Sequence, residues 1–146
     1  MIYFMPTPRE ILRSQRRYGN IADQVFDNAD LASVRCQQLW LRHCSFRNAD
    51  LRHATLDGCH FLFCDLRGAD LGAASLRRAS FSGCYLRGAD LSNADLSWAR
   101  FGFVNTGTPA GLTDVTGANF SGAVLREIEA RRVIGWPEDL PTGQAS

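Results

Sequence analysis

Charged residues recur in this chain at intervals of twenty. Aspartates stand at Asp30, Asp50, Asp70 and Asp90, and arginines at Arg47, Arg67 and Arg87, three residues ahead of the last three aspartates. Such series can build ion-pair ladders or a bare acidic stripe, depending on what faces what. A second group is aromatic and imidazole: Trp40, His43, His60, Leu62 and Phe63. Clustered exposed aromatic side chains are the usual anchors of a binding surface. For acid–base work there are His43, His53 and His60 with Asp57 nearby. No nucleophile, base and orienting group come together in the pattern. Gly58, Gly68, Gly83 and Gly88 occur singly, so no glycine-rich phosphate loop is present.

The chain of 146 residues is the size of one domain. Its 16 basic residues, all arginine, stand against 15 acidic ones and leave a net charge of +1. That balance gives no global field to draw in nucleic acid, so direct nucleic-acid binding is not expected. No apolar run approaches the roughly 18 residues of a membrane span. The opening MIYFMPTPRE has no basic stretch ahead of its short apolar one and does not read as a signal peptide. Five cysteines, an odd number, point to a reducing cytoplasm rather than a disulfide framework.

What must position these residues is a five-residue period. From Ile21 to Phe101 a large apolar residue recurs at every fifth position, with only Cys36 off type, and a small residue such as Ala49, Cys64 or Ala89 stands two before most of them. Neither the helical nor the strand period gives this spacing; a fixed short repeat means a solenoid. Ahead of the repeats, Thr7-Pro8-Arg9-Glu10 reads as a capping box, predicting a short helix over about 8–17 with Gly19 as its stop. The lead-in and helix occupy 1–20. The register breaks at 102–114, which reads as a loop insertion, and resumes one residue out of phase at Val115, Phe120 and Leu125. The repeat region is thus 21–125. Residues 124–133, VLREIEARRV, predict a short C-terminal helix, and 126–146 is assigned to that helix and a flexible tail.

RNADL at 47–51, RGADL at 67–71 and 87–91, and SNADL at 92–96 resemble the A(D/N)LXX signature of pentapeptide-repeat proteins, whose relatives include quinolone-resistance members. The resemblance implies an all-β solenoid: a right-handed quadrilateral parallel β-helix, with short N- and C-terminal capping helices. Four pentapeptides make one square coil. The central Leu or Phe, position i, and the small residue at i−2 point inward; i−1, i+1 and i+2 point outward.

Folded this way, the arginine and aspartate series become neighbouring columns at one corner, an expected ionic network of Asp30, Asp50, Asp70, Asp90, Arg47, Arg67 and Arg87. Trp40, His43, His60, Leu62 and Phe63 become one patch on one side of the coil, unless the segment Tyr3-Phe4-Met5 or the loop at 102–114 covers it. Cys44, Cys64 and Cys84 stack inward as small apolar fillers. Cys59 points inward while His43 and His60 point outward, so no metal site is expected, and no cofactor is called for. The function expected is a non-enzymatic, cytoplasmic protein-interaction module. The resemblance offers one sharper version, a mimic of duplex DNA that binds DNA gyrase and gives antibiotic resistance or self-immunity. It also offers a route to a homodimer through the C-terminal helix; the exposed aromatic face is a second route. The rival is a biosynthetic enzyme or accessory protein using the aromatic and histidine patch. A groove beside Trp40 and His60, closed by the 102–114 loop, would favour it.

Overall fold

The computed structural model describes residues 4–143. The chain winds as a four-sided coil, twenty residues to the turn. On side one, six short strands stack in parallel in chain order: β1 (Asn20–Ala22), β2 (Trp40–Arg42), β3 (His60–Leu62), β4 (Ser80–Ser82), β5 (Arg100–Gly102) and β6 (Glu129–Ala130). Ile21 lies over Leu41, Leu41 over Phe61, Phe61 over Phe81 and Phe81 over Phe101. The other sides are single-residue parallel bridges: Ser45, Asp65 and Tyr85 on side two, Asp30, Asp50, Asp70 and Asp90 on side three, and Thr55, Ser75 and Asp95 on side four.

The five-residue period follows from the corners. Each i+2 residue except Phe103, where the insertion begins, adopts a left-handed backbone, with φ near +60° at Asn28, Asn48, His53, Arg78 and Trp98 and at Gly58, Gly68, Gly83 and Gly88. This turns the chain through a corner once per repeat. On sides two to four the i residue's carbonyl accepts from the i−2 amide three residues on, as in Ala49 N to Phe46 O at 3.1 Å and Ala54 N to Leu51 O at 3.1 Å. The remaining backbone groups pair with the coils above and below, for example Phe46 N to Asp65 O at 2.7 Å and Asp50 N to Ala29 O at 2.9 Å.

The corner after side one is built differently, and the cysteines explain how. There the thiols of Cys64 and Cys84 donate to the carbonyls of Leu41 and Phe61 in the preceding coil, each at 3.2 Å. In the fifth coil Thr113 takes the same place, its hydroxyl donating to Phe81 O at 3.2 Å. The column therefore holds a small side chain that also supplies a donor, more than an apolar filler. All five cysteines are free and buried.

The core is a filled stack of like on like. Phe61, Phe81 and Phe101 stack with ring centroids 4.9 and 4.8 Å apart. Cys36, off type in the repeat, is matched by an exchange of sizes: Val34 at i−2 is fully buried and fills the space. The helix α1 (Pro8–Arg13) is shorter than the 8–17 expected, carries the capping box on Thr7 and Glu10, and buries Leu12 over the first coil. A guanidinium nitrogen of Arg9 binds Ala32 O at 2.5 Å and fastens the helix to side three.

At the other end the expected C-terminal helix is absent. Residues 124–134 instead complete the fifth coil and begin a sixth: Glu129 and Ala130 pair with Arg100 and Phe101, and Ile134 bridges to Asp114. The helix-forming composition of VLREIEARRV loses to the coil because Ile128 and Ala130 are both buried inward, with large and small exchanged between i−2 and i. Trp136 closes the end, its ring 5.2 Å from Phe101 and 5.3 Å from Phe120. The insertion is real: fourteen residues separate Phe101 from Val115, where five would do. It contains a single 3-10 turn, Pro109–Gly111, and a bridge from Phe103 to Leu112. It sits in a coil that goes on to completion.

Candidate functional site

The outward positions divide into a charged half and an aromatic half. On side two, Arg67 clamps Asp65 with two hydrogen bonds, 2.9 and 2.6 Å, while Arg47 stands 3.9 Å from the same carboxylate and Arg87 3.8 Å from Asp114. On side three, Arg52 clamps Asp50 at 2.9 and 2.7 Å and lies 3.9 Å from Asp70. Asp30 lies 3.6 Å from Arg9, and Asp90 accepts from the amide of Ser92 at 2.9 Å. The expected pairing of Arg47, Arg67 and Arg87 with Asp50, Asp70 and Asp90 across the corner does not form. Residues i−1 and i+1 flank one inward residue and leave the same flat side, as on a strand. The next side's i−1 is separated from i+1 by the left-handed corner and leaves another face.

These contacts set the carboxylates' protonation. The hydrogen bonds from Arg52 hold Asp50 below the ordinary carboxylate range. Burial alone would raise Asp65, but the hydrogen bonds and charge of Arg67 outweigh it and keep it low. Hydrogen bonds from Ser92 do the same for Asp90.

The aromatic residues of side one form two stacks, at opposite edges of the sheet. Trp40 and His60 stack at the i−1 edge with centroids 4.1 Å apart. His43 and Phe63 stack at the i+2 edge, 5.2 Å apart, with Leu62 half-buried between the edges. Gly83 continues the second column at φ +64°, and a β-carbon there would come within 2.8 Å of the Phe63 ring. Phe4 and Met5 are almost wholly exposed, so they do not cover this face; Tyr3 lies outside the described residues.

Beside the first stack runs a groove of about 670 Å³. Its floor is Ser80, Ser82 and Gly102; its walls are Trp40, His60, Trp98, Arg78 and Phe103; Arg100, Arg131, Glu127 and Glu129 line its far end. His60 Nδ1 shares a 2.7 Å hydrogen bond with Ser80 Oγ. Burial, and then the charge of Arg100, depress the pKa of His60. Arg100 pairs with Glu129 at 3.7 Å, and the Arg78 guanidinium lies 5.9 Å from the Trp98 ring centroid. Of the insertion, only Gly102 and Phe103 reach the groove. Trp98 and Arg78 were not among the sequence candidates. They are i+2 residues of side four, just before the corner, two residues ahead of Arg100 and Ser80. Reading that column beside the i−1 column of side one would have found them.

A family model described as pentapeptide repeats matches residues 44–83 and 64–102. No curated protein sequence matches the chain. Among solved structures, the chain is similar to a pentapeptide repeat protein from the cyanobacterium Cyanothece 51142. The identity is 20%, over 82% of this chain and 85% of that one, with a TM-score of 0.63. Weaker likenesses are to full-length QnrB1, a plasmid-mediated fluoroquinolone resistance protein, at 20% identity over 83% and 72% with a TM-score of 0.38, and to a pentapeptide repeat protein from the Arabidopsis thaliana thylakoid lumen, at 24% identity over 86% and 71% with a TM-score of 0.30. The cyanobacterial likeness supports the fold and nothing narrower. Residues 44–102 are pentapeptide repeats, and the four-sided coil the chain builds is the fold of pentapeptide-repeat proteins.

Proposed function

We propose that this protein is a non-enzymatic binding module for another protein, working through side one and its corner with side four. The observation that carries the reading is that Trp40 and Trp98, 41% and 45% exposed, both border one groove on an otherwise flat face. Half-exposed indoles beside a concave surface are what a partner buries as anchors. The same face is the remaining route to a homodimer, since the helix expected for the other is absent. An enzyme or biosynthetic accessory protein would need the 102–114 loop to close the groove, and only the first two residues of that loop touch it.

DNA gyrase is the partner to try first, on grounds of the family resemblance. The surface bearing on a DNA mimic is side three, where Asp30, Asp50, Asp70 and Asp90 stand in line, with Arg9 and Arg52 set against them. The test is a supercoiling reaction with purified protein, with and without a fluoroquinolone. Inhibition, or relief of drug-stabilised cleavage, that is lost when the four aspartates become asparagine supports gyrase. No effect in either arm removes gyrase and leaves the aromatic side to find its partner.

A further inference from the structure

We infer that the groove between Trp40 and Glu129 takes an extended, acidic peptide segment bearing an aromatic side chain. This rests on the protein-binding reading and names the partner's chemistry. The groove runs along the coil axis, bordered by Trp40, His60, Ser80, Arg100 and Glu129 in successive coils. Four steps of about 4.8 Å give ~19 Å, the length of about six residues of extended chain. A compact ligand would not need that length.

The floor supplies the aromatic preference. Ser80, Ser82 and Gly102 are small where the rows before them carry Trp40 with Arg42 and His60 with Leu62, so the sheet has a notch at β4 and β5. Trp98 and Phe103 stand at its two sides. Trp98 holds its place at φ +64°, a conformation that is costly for a bulky side chain. An aromatic ring set into the notch would have a ring on either side and no charged side chain to displace from the floor.

The ends supply the charge preference. Arg100 is matched by Glu129, and Glu127 is a second carboxylate in the wall. Against these stand Arg78 and Arg131, neither within ion-pair distance of a carboxylate of the described residues. The cation excess is one charge, and Arg78, against Trp98, carries it beside the notch. Acidic side chains flanking the ring would meet it; lysines would oppose it.

The three tryptophans make the test internal. Trp40 and Trp98 border the groove, while Trp136 packs on Phe101 and Phe120 at the closed end. The indole N–H resonances of the full chain are followed on adding a capped hexapeptide, Glu-Glu-Phe-Asp-Glu-Glu, and its analogue with every acid replaced by lysine. The acidic peptide is expected to shift Trp40 and Trp98, leave Trp136 in place, and bind at least tenfold more weakly to the R78E/R131E variant, whose unchanged Trp136 resonance certifies its fold. Equal or tighter binding of the lysine peptide overturns the acidic partner while leaving a protein-binding groove. Silence of both peptides at about 1 mM, a free energy near 4 kcal/mol, overturns the groove as a peptide site. The wider binding reading is then judged on the His43–Phe63 edge.

Discussion

Trp40 and His60 are twenty residues apart in sequence and lie face to face, ring centroids 4.1 Å apart, because one full coil separates them. The imidazole is also hydrogen-bonded to Ser80 and faces the field of Arg100. Its pKa is depressed, first by burial and then by that arginine. A base whose folded pKa lies below its unfolded value, about 6.5, favours the folded state above that value and loses this stability as pH falls through the folded pKa. Protonated histidine also quenches a stacked indole. Emission from Trp40 is therefore expected to fall with acid, with a midpoint below 6.5, and Arg100→Ala to move that midpoint upward. A midpoint that ignores Arg100 would remove its field from the groove.

Replacing Trp40 and Phe63 together by Ser removes one ring from each stack while leaving every inward residue in place. The expected outcome is an unchanged far-ultraviolet spectrum, a loss of no more than about 2 kcal/mol, and loss of partner or self-association by ultracentrifugation or pull-down. Association that survives both changes would place the contact on another side.

Phe81 lies between Phe61 and Phe101 with stacked contacts on both faces. Phe81→Ala leaves a void that neighbouring coils, tied by backbone hydrogen bonds, cannot close. A cost of about 3–5 kcal/mol is expected in chemical denaturation.

The cysteine column gives a sharper test of its own geometry. Cys64 donates to Leu41 O, as Thr113 does to Phe81 O two coils on. Cys64→Ser keeps the donor and is expected within about 0.5 kcal/mol of the parent, whereas Cys64→Val, of similar size, leaves the carbonyl without it and should cost about 1–2 kcal/mol more. In the native protein the thiols should not react with disulfide reagents: burial pushes the Cys59 thiol to about 11, and burial with the neighbouring Cys59 pushes Cys36 to about 12.

Trp136 is the lid on the last coil. Trp136→Ala uncovers Phe101 and Phe120 at once. A loss of about 2 kcal/mol, with concentration-dependent association through the opened end, is the expected result by thermal melting at two protein concentrations.

The five-residue register was readable in the sequence from Ile21 to Phe101, because every position of the series there but Cys36 is large and apolar, and most partners two residues earlier are small. It was lost where the sizes exchange. Val34 with Cys36 looked like one defect, and Ile128 with Ala130 looked like a helix, although both pairs fill the same two inward slots. The charged columns were legible as columns, but their partners were not. Sequence spacing alone does not say whether Arg67 leaves the coil with Asp65 or with Asp70, and the left-handed corner at Gly68 decides for Asp65. The groove was half legible. Trp40 and His60 announce themselves, while Trp98 enters only once the corner brings side four beside side one.

Every strand of side one pairs with the strand twenty residues on, until the insertion lengthens the last interval. At the level of the gene this makes sixty nucleotides a unit of exchange. A duplication or deletion of that length adds or removes one whole storey and leaves every column aligned, so such a lineage can change its reach without redesigning its core. A change that is not a multiple of five residues throws inward residues out to solvent, unless the surplus is extruded as a loop. The stretch between Phe101 and Val115 is what that second outcome looks like once it has been tolerated.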